Sequence, residues 1–117
     1  MIKVKVYVSD RINGKGNIEI KVETPLHYGE TRELLSRLRD ILDPATWGTE
    51  GYGGERISLS FPKVDLPDRH DLLEGWLIGK YVEPIEHAIR DLIAEMAYPD
   101  DTYEYDFPLD LDETSER

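Results

Sequence analysis

The chain contains no cysteine and no long apolar run, and each absence restricts what it can be. Without cysteine there is no disulfide, no thiolate zinc ligand and no cysteine nucleophile. No apolar run approaches the roughly eighteen residues that a membrane-spanning helix needs. The first eight residues alternate in polarity, so we expect no signal peptide and a cytoplasmic location.

Basic residues are also scarce, with 14 Lys and Arg against 25 Asp and Glu, for a net charge of −11. Binding to nucleic-acid phosphates depends on clustered cations, and so does binding to an anionic membrane. We therefore expect neither a direct nucleic-acid contact nor a membrane contact. The partner that electrostatics favours is a basic protein, including one that itself binds nucleic acid.

The negative charge is concentrated near the C-terminus. Residues 100–117 hold eight carboxylates and a single basic side chain, whereas the other 99 residues hold seventeen acids and thirteen bases. This contrast predicts one α+β domain over residues 1–99, followed by an acidic, aromatic-containing tail over residues 100–117. The candidate partner-binding residues are Asp100, Asp101, Tyr103, Glu104, Tyr105, Asp106, Phe107, Asp110, Asp112 and Glu113.

Three interpretations of this tail remain open. Its composition is compatible with a disordered, solubilising terminus. Its mixture of acids and aromatic residues also suits a recognition segment that docks in a basic groove. Finally, Tyr103, Tyr105 and Phe107 alternate with acids, so the segment could pair as an edge strand of its own sheet.

The rest of the chain predicts a two-layer α+β sandwich. Period-2 alternation indicates strands over residues 2–8 and 18–23, joined through Asn13-Gly14 as an antiparallel hairpin, and a third strand over residues 57–61. Apolar stripes indicate a helix over residues 29–42, a short helix from Asp71 that is interrupted around Gly79, and a final helix that starts near Pro84. One continuous helix over residues 71–97, kinked at Pro84, is the alternative. In the order β-β-α-β-α, both helices would cover one face of a three-stranded antiparallel sheet.

Residues 47–54 contain four glycines and two aromatic residues, and they predict a glycine-rich loop. Trp47 and Tyr52 would make it a candidate ligand loop with two stacking surfaces. The competing interpretation is a plain connection with Trp47 in the core. A phosphate cradle is disfavoured because no Lys follows the glycines and Glu50 and Glu55 would repel phosphate.

No recognised catalytic or metal-ligand motif is present. Glu83 and His87 are four residues apart, and His70 lies between Asp68 and Asp71, but neither spacing matches a known metal site. No serine lies in a G-x-S-x-G elbow. We therefore expect no metal, no cofactor and no enzymatic activity.

The leading functional hypothesis is a non-enzymatic binding protein or inhibitor that places its acidic surface and tail in a basic, nucleic-acid-binding site of another protein. Such a surface would act as a nucleic-acid mimic. The alternatives are an assembly module that self-associates through its sheet edge, and a small-ligand domain that uses the glycine-rich loop. The oligomeric state does not follow from the sequence.

Overall fold

A computed structural model describes residues 2–23, 28–51, 56–95 and 105–113 of the chain. It is an α+β fold in which a sheet is covered by helices. The strands are β1 (Ile2–Ile12), β2 (Lys15–Glu23), β3 (Thr46–Glu50), β4 (Arg56–Asp65) and β5 (Tyr105–Glu113). Their order across the sheet is β3-β4-β2-β1-β5, with β1 to β4 antiparallel and β5 parallel to β1.

The predicted hairpin is confirmed. Val6 of β1 pairs with Ile20 of β2, and this register places valines and isoleucines of both strands on one buried face. Asn13 and Gly14 connect the strands with φ values of 56° and 77°. Two consecutive positive φ angles twist the turn in the same sense as the strands, which is why Asn-Gly is favoured in two-residue hairpin turns.

The sheet has more strands than the three that the sequence predicted. Residues 47–50 were expected to belong to a glycine-rich loop, but they form most of β3, which pairs along β4 from Thr46 with Ser60 to Glu50 with Arg56. Gly48 is not among the residues with positive φ, so it adopts an ordinary strand conformation. Glycine has a low strand propensity and interrupts the pattern, so the strand was not predicted although the flanking Trp47 and Thr49 favour one.

The helical part follows the prediction for the first helix and the continuous alternative for the second. Helix α1 spans Tyr28–Leu42. A short 3₁₀ turn (His70–Leu72) leads into α2 (Leu73–Leu77), a π-helical turn (Ile78–Val82) and α3 (Glu83–Glu95) without a break in helical dihedral angles. Pro84 lacks an N–H and would clash with the carbonyl four residues earlier in a regular helix. The wider π turn immediately before it is a known way for a helix to absorb such a residue.

One hydrophobic core lies between the sheet and the helices. It contains the alternating apolar residues of β1, β2 and β4 together with the stripes of α1 and α3. Ile20, Leu59, Leu38 and Ile89 are all fully buried within it. In the described ranges no helix is both long and apolar enough to cross a membrane. The opposite face of the sheet carries polar side chains, so the fold has two layers.

Candidate partner-binding site

Part of the acidic C-terminal segment is built into the sheet as β5. We use the term acidic edge for this strand, Tyr105–Glu113, and its carboxyl-bearing residues Asp106, Asp110, Asp112 and Glu113. β5 is the last strand in the sheet order, so only one of its sides pairs with β1. This arrangement corresponds to the edge-strand interpretation of the tail. The candidate residues Asp100, Asp101, Tyr103 and Glu104 lie outside the described residues.

The register of β5 matches its charges to those of β1. Lys5 pairs with Asp110 of β5 on one side and with Lys21 of β2 on the other. Two lysines directly opposite each other on neighbouring strands repel. Lys21 is compensated by Glu50, whose carboxylate lies 3.1 Å from its ammonium nitrogen. In the backbone register Asp110 is the position of β5 opposite Lys5, and an opposite-charge pair across neighbouring strands is favourable.

Strands β2, β3 and β4 together carry charges of both signs on the polar face of the sheet. Glu23 and Glu50 pair in register on either side of Arg56, and Lys21 contacts both Glu50 and Glu19. Alternating charges on neighbouring strands give a mixed surface with little net field.

The polar sides of the helices are linked by Arg37 of α1. Its side chain donates to Glu33 one turn earlier, at 3.0 Å from Nε to Oε2, and to both carboxylate oxygens of Glu95 on α3. Hydrogen bonding to the guanidinium lowers the pKa of the Glu95 carboxyl, and the two carboxylates raise the pKa of Arg37. Two helix acids, Glu33 and Glu95, are therefore already paired with Arg37 of the same chain.

The candidate ligand loop is only partly within the described residues. Trp47 lies on β3 at the edge next to α1, and its side chain is 46% exposed, so it is not a core residue. The guanidinium carbon of Arg39 lies 4.0 Å from the centroid of its ring. A cation over an aromatic face at this distance is attracted by the ring quadrupole. Tyr52 lies outside the described residues, so a loop that joins the two aromatic rings stays a prediction.

Within the part of the chain that the structure describes, no group of three or more potential ligands is positioned to hold a metal ion. Glu83 and His87 lie on α3, and both are exposed. Asp71 instead accepts hydrogen bonds from Arg69 at 3.2 and 2.8 Å.

A depression of about 350 Å³ on the outer face of the sheet was not predicted from the sequence. Beside it, Asn17 donates to Asp10 of β1 at 2.9 Å and accepts from the backbone N–H of Lys63 of β4 at 3.0 Å. Asp10 and Lys63 have φ values of 53° and 56°, which are unusual for residues with side chains. One amide thus holds left-handed residues in both neighbouring strands. The local signal was weak, since only the Asn and Asp identities hint at such turns.

A second groove that the sequence did not reveal has a volume of about 370 Å³. It lies where the end of α1, the end of β4 and the π-helical turn meet. Burial raises the pKa of Tyr81, one of its lining residues, to about 12. The π turn is the feature that brings Lys80 and Tyr81 to this position, and no sequence pattern announces a π turn.

Comparison with known proteins gives no family for this chain. No protein-family model matches it, and no curated protein matches it. Among solved structures, the crystal structure of SMU.848 from Streptococcus mutans is similar, with 13% sequence identity, a TM-score of 0.38, and coverage of 97% of this chain and 98% of that chain. A likeness at that level carries no argument about function.

Proposed function

We propose that this chain is a non-enzymatic binding protein or inhibitor that uses its acidic edge to occupy a basic site on another protein. The observation that supports the proposal is the position of β5, an acidic strand whose outer side has no pairing partner among the described residues. An edge strand offers unpaired backbone groups to a partner. Its carboxylates would favour a partner with clustered lysines and arginines.

The proposed mechanism has two steps. Complementary charge first accelerates encounter, an effect that weakens as salt screens the charges. Backbone pairing along β5 and contacts from the aromatic residues of the segment then hold the complex. The partner would be a basic protein, including one that binds nucleic acid through the same site, and we propose that the complex forms in the cytoplasm.

Two charge-matched variants of the full chain test this proposal by affinity capture from a cell lysate at low salt. The edge variant carries Asp106→Asn, Asp110→Asn, Asp112→Asn and Glu113→Gln. The helix variant carries Asp40→Asn, Glu74→Gln, Glu83→Gln and Asp91→Asn, all at exposed positions of the helical layer. Both variants have the same change of net charge, so they differ only in where the acids were removed.

We expect the wild-type chain and the helix variant to retain the same basic proteins, identified by mass spectrometry, and the edge variant to lose them. Equal retention by all three chains would contradict a role for the acidic edge, and so would equal loss by both variants. Thermal melting of the two variants checks that the fold survives each set of substitutions.

Self-association is a second candidate, because an open β5 edge is also available to another copy of the chain. It predicts a dimer at micromolar concentration by light scattering. A monomer at higher concentration would remove this candidate and leave the edge available for a different protein.

A further inference from the structure

The groove between α1, β4 and the π-helical turn is lined by four apolar residues, one tyrosine and one lysine. Its lining residues are Ile41, Leu42, Phe61, Val64, Lys80 and Tyr81. Phe61 and Tyr81 form a tilted aromatic pair, with ring centroids 4.9 Å apart, and both are buried. Ile41 is 52% exposed, so the groove leaves apolar surface open to solvent.

Lys80 is the only charged residue among those that line this groove. Its ammonium nitrogen lies 5.5 Å from the Trp76 ring centroid and 5.8 Å from that of Tyr81. Among the described residues no carboxylate forms an ion pair with it. Lys80 is therefore an exposed lysine that lies beside two aromatic rings at the groove.

We propose that this groove binds the carboxylate of a small amphipathic acid, such as a medium-chain fatty acid. Its volume of about 370 Å³ lies at the lower end of the range of small-molecule sites, roughly 300 to 1,000 Å³. The apolar chain would lie against Ile41 and Leu42. The carboxylate would lie at Lys80, away from the carbonyl end of α1, where the helix dipole disfavours negative charge. The π turn, a feature frequent at functional sites, sets the cation beside the apolar floor.

This site is separate from the acidic edge, so its test does not depend on the proposed function. The experiment is a titration of the full chain with decanoate, at concentrations below those at which decanoate forms micelles. Binding is monitored by calorimetry and by backbone amide NMR shifts. Decanol is the matched ligand without charge. Lys80→Met removes the ammonium and keeps an unbranched side chain, and Lys3→Met removes an exposed lysine of β1 as the control.

We expect saturable binding of one decanoate with amide shifts centred on the groove. Lys80→Met should weaken it roughly tenfold, the effect of one charge-assisted hydrogen bond, whereas Lys3→Met should leave it unchanged. Decanol should bind weakly to the wild-type chain and equally to both variants. Ile41→Glu places a carboxylate at an exposed wall and should abolish decanoate binding without unfolding the protein.

Three results would overturn the proposal. The first is the absence of saturable binding to the wild-type chain. The second is an equal loss of affinity in the Lys80→Met and Lys3→Met chains, which would indicate a general charge effect. The third is a set of amide shifts centred away from the π turn and the end of α1.

Discussion

The two edges of the sheet have different designs. β3, at one edge, has only five residues, its Glu50 is held by Lys21, and its Trp47 lies under the guanidinium of Arg39. β5, at the other edge, has nine residues, and four of them are acidic. Short strands and engaged charges are common ways to keep an edge from pairing. The β3 edge is short and its charged and aromatic side chains contact neighbouring residues, whereas β5 is longer and more acidic in sequence. We propose that the β5 edge is the one that meets a partner.

The largest expected effect comes from breaking the support that the β3 edge receives from the core. Leu59 of β4 is fully buried and pairs in register with Trp47 on one side and Ile20 on the other. Leu59→Ala should lower the free energy of unfolding by about 2–5 kcal/mol, because it removes apolar burial and leaves a cavity. Leu72→Ala, at an exposed position, should change it by less than about 0.5 kcal/mol. Urea denaturation measures the free energy of unfolding of both variants. Equal losses for Leu59→Ala and Leu72→Ala would contradict the assignment of Leu59 to the core.

A glycine substitution would sharpen the comparison by strengthening the shorter edge. A Cβ at Gly48 meets no atom within 4 Å, so Gly48→Thr should stabilise the protein by about 0.5 kcal/mol, since threonine suits a strand and restricts the unfolded chain. Gly14 is equally open, but its φ is +77°. Gly14→Ala should therefore destabilise by about 1 kcal/mol. Thermal melting of the two variants should give shifts of opposite sign.

The smallest effect concerns pH. Because Arg37 lowers the pKa of Glu95 in the folded protein, this pair contributes stability above the unfolded pKa of the carboxyl. The contribution disappears as pH falls through the lowered folded value. Glu95→Gln should therefore flatten the acid side of the stability profile, whereas Asp91→Asn on the same helix should not. Chemical denaturation at several pH values between about 2 and 6 measures the free energy of unfolding of each chain. Identical pH profiles for the wild-type chain and both variants would contradict a contribution from the Arg37–Glu95 pair.

Much of the fold was predictable from local patterns. The hairpin and α1 follow from strict periodicity and from Asn13-Gly14, since one face of each element must be buried. β3 was missed because it has only five residues and Gly48 interrupts its alternation. The π turn was missed because helical periodicity does not show where one extra residue enters a turn.

For the candidate site, the sequence predicted which residues are concentrated there but not where the segment lies in the sheet. The concentration of acids near the C-terminus is visible in the sequence, and so is the alternation that allows a strand. Its parallel pairing with β1 was not visible, because β5 is about one hundred residues away and parallel pairing leaves no local turn signal. The groove at Lys80 depends on three separate elements, which is why no motif identified it.

The most direct test of the acidic edge is the salt dependence of association between this chain and a basic protein that it captures. Stopped-flow rates at a series of NaCl concentrations would be compared for the wild-type chain, the edge variant and the helix variant. We expect an association rate that falls steeply with salt for the wild-type chain and the helix variant. The edge variant should associate more slowly, and its rate should depend less on salt. A wild-type rate that does not depend on salt, or an edge variant that matches the wild-type chain, would contradict it.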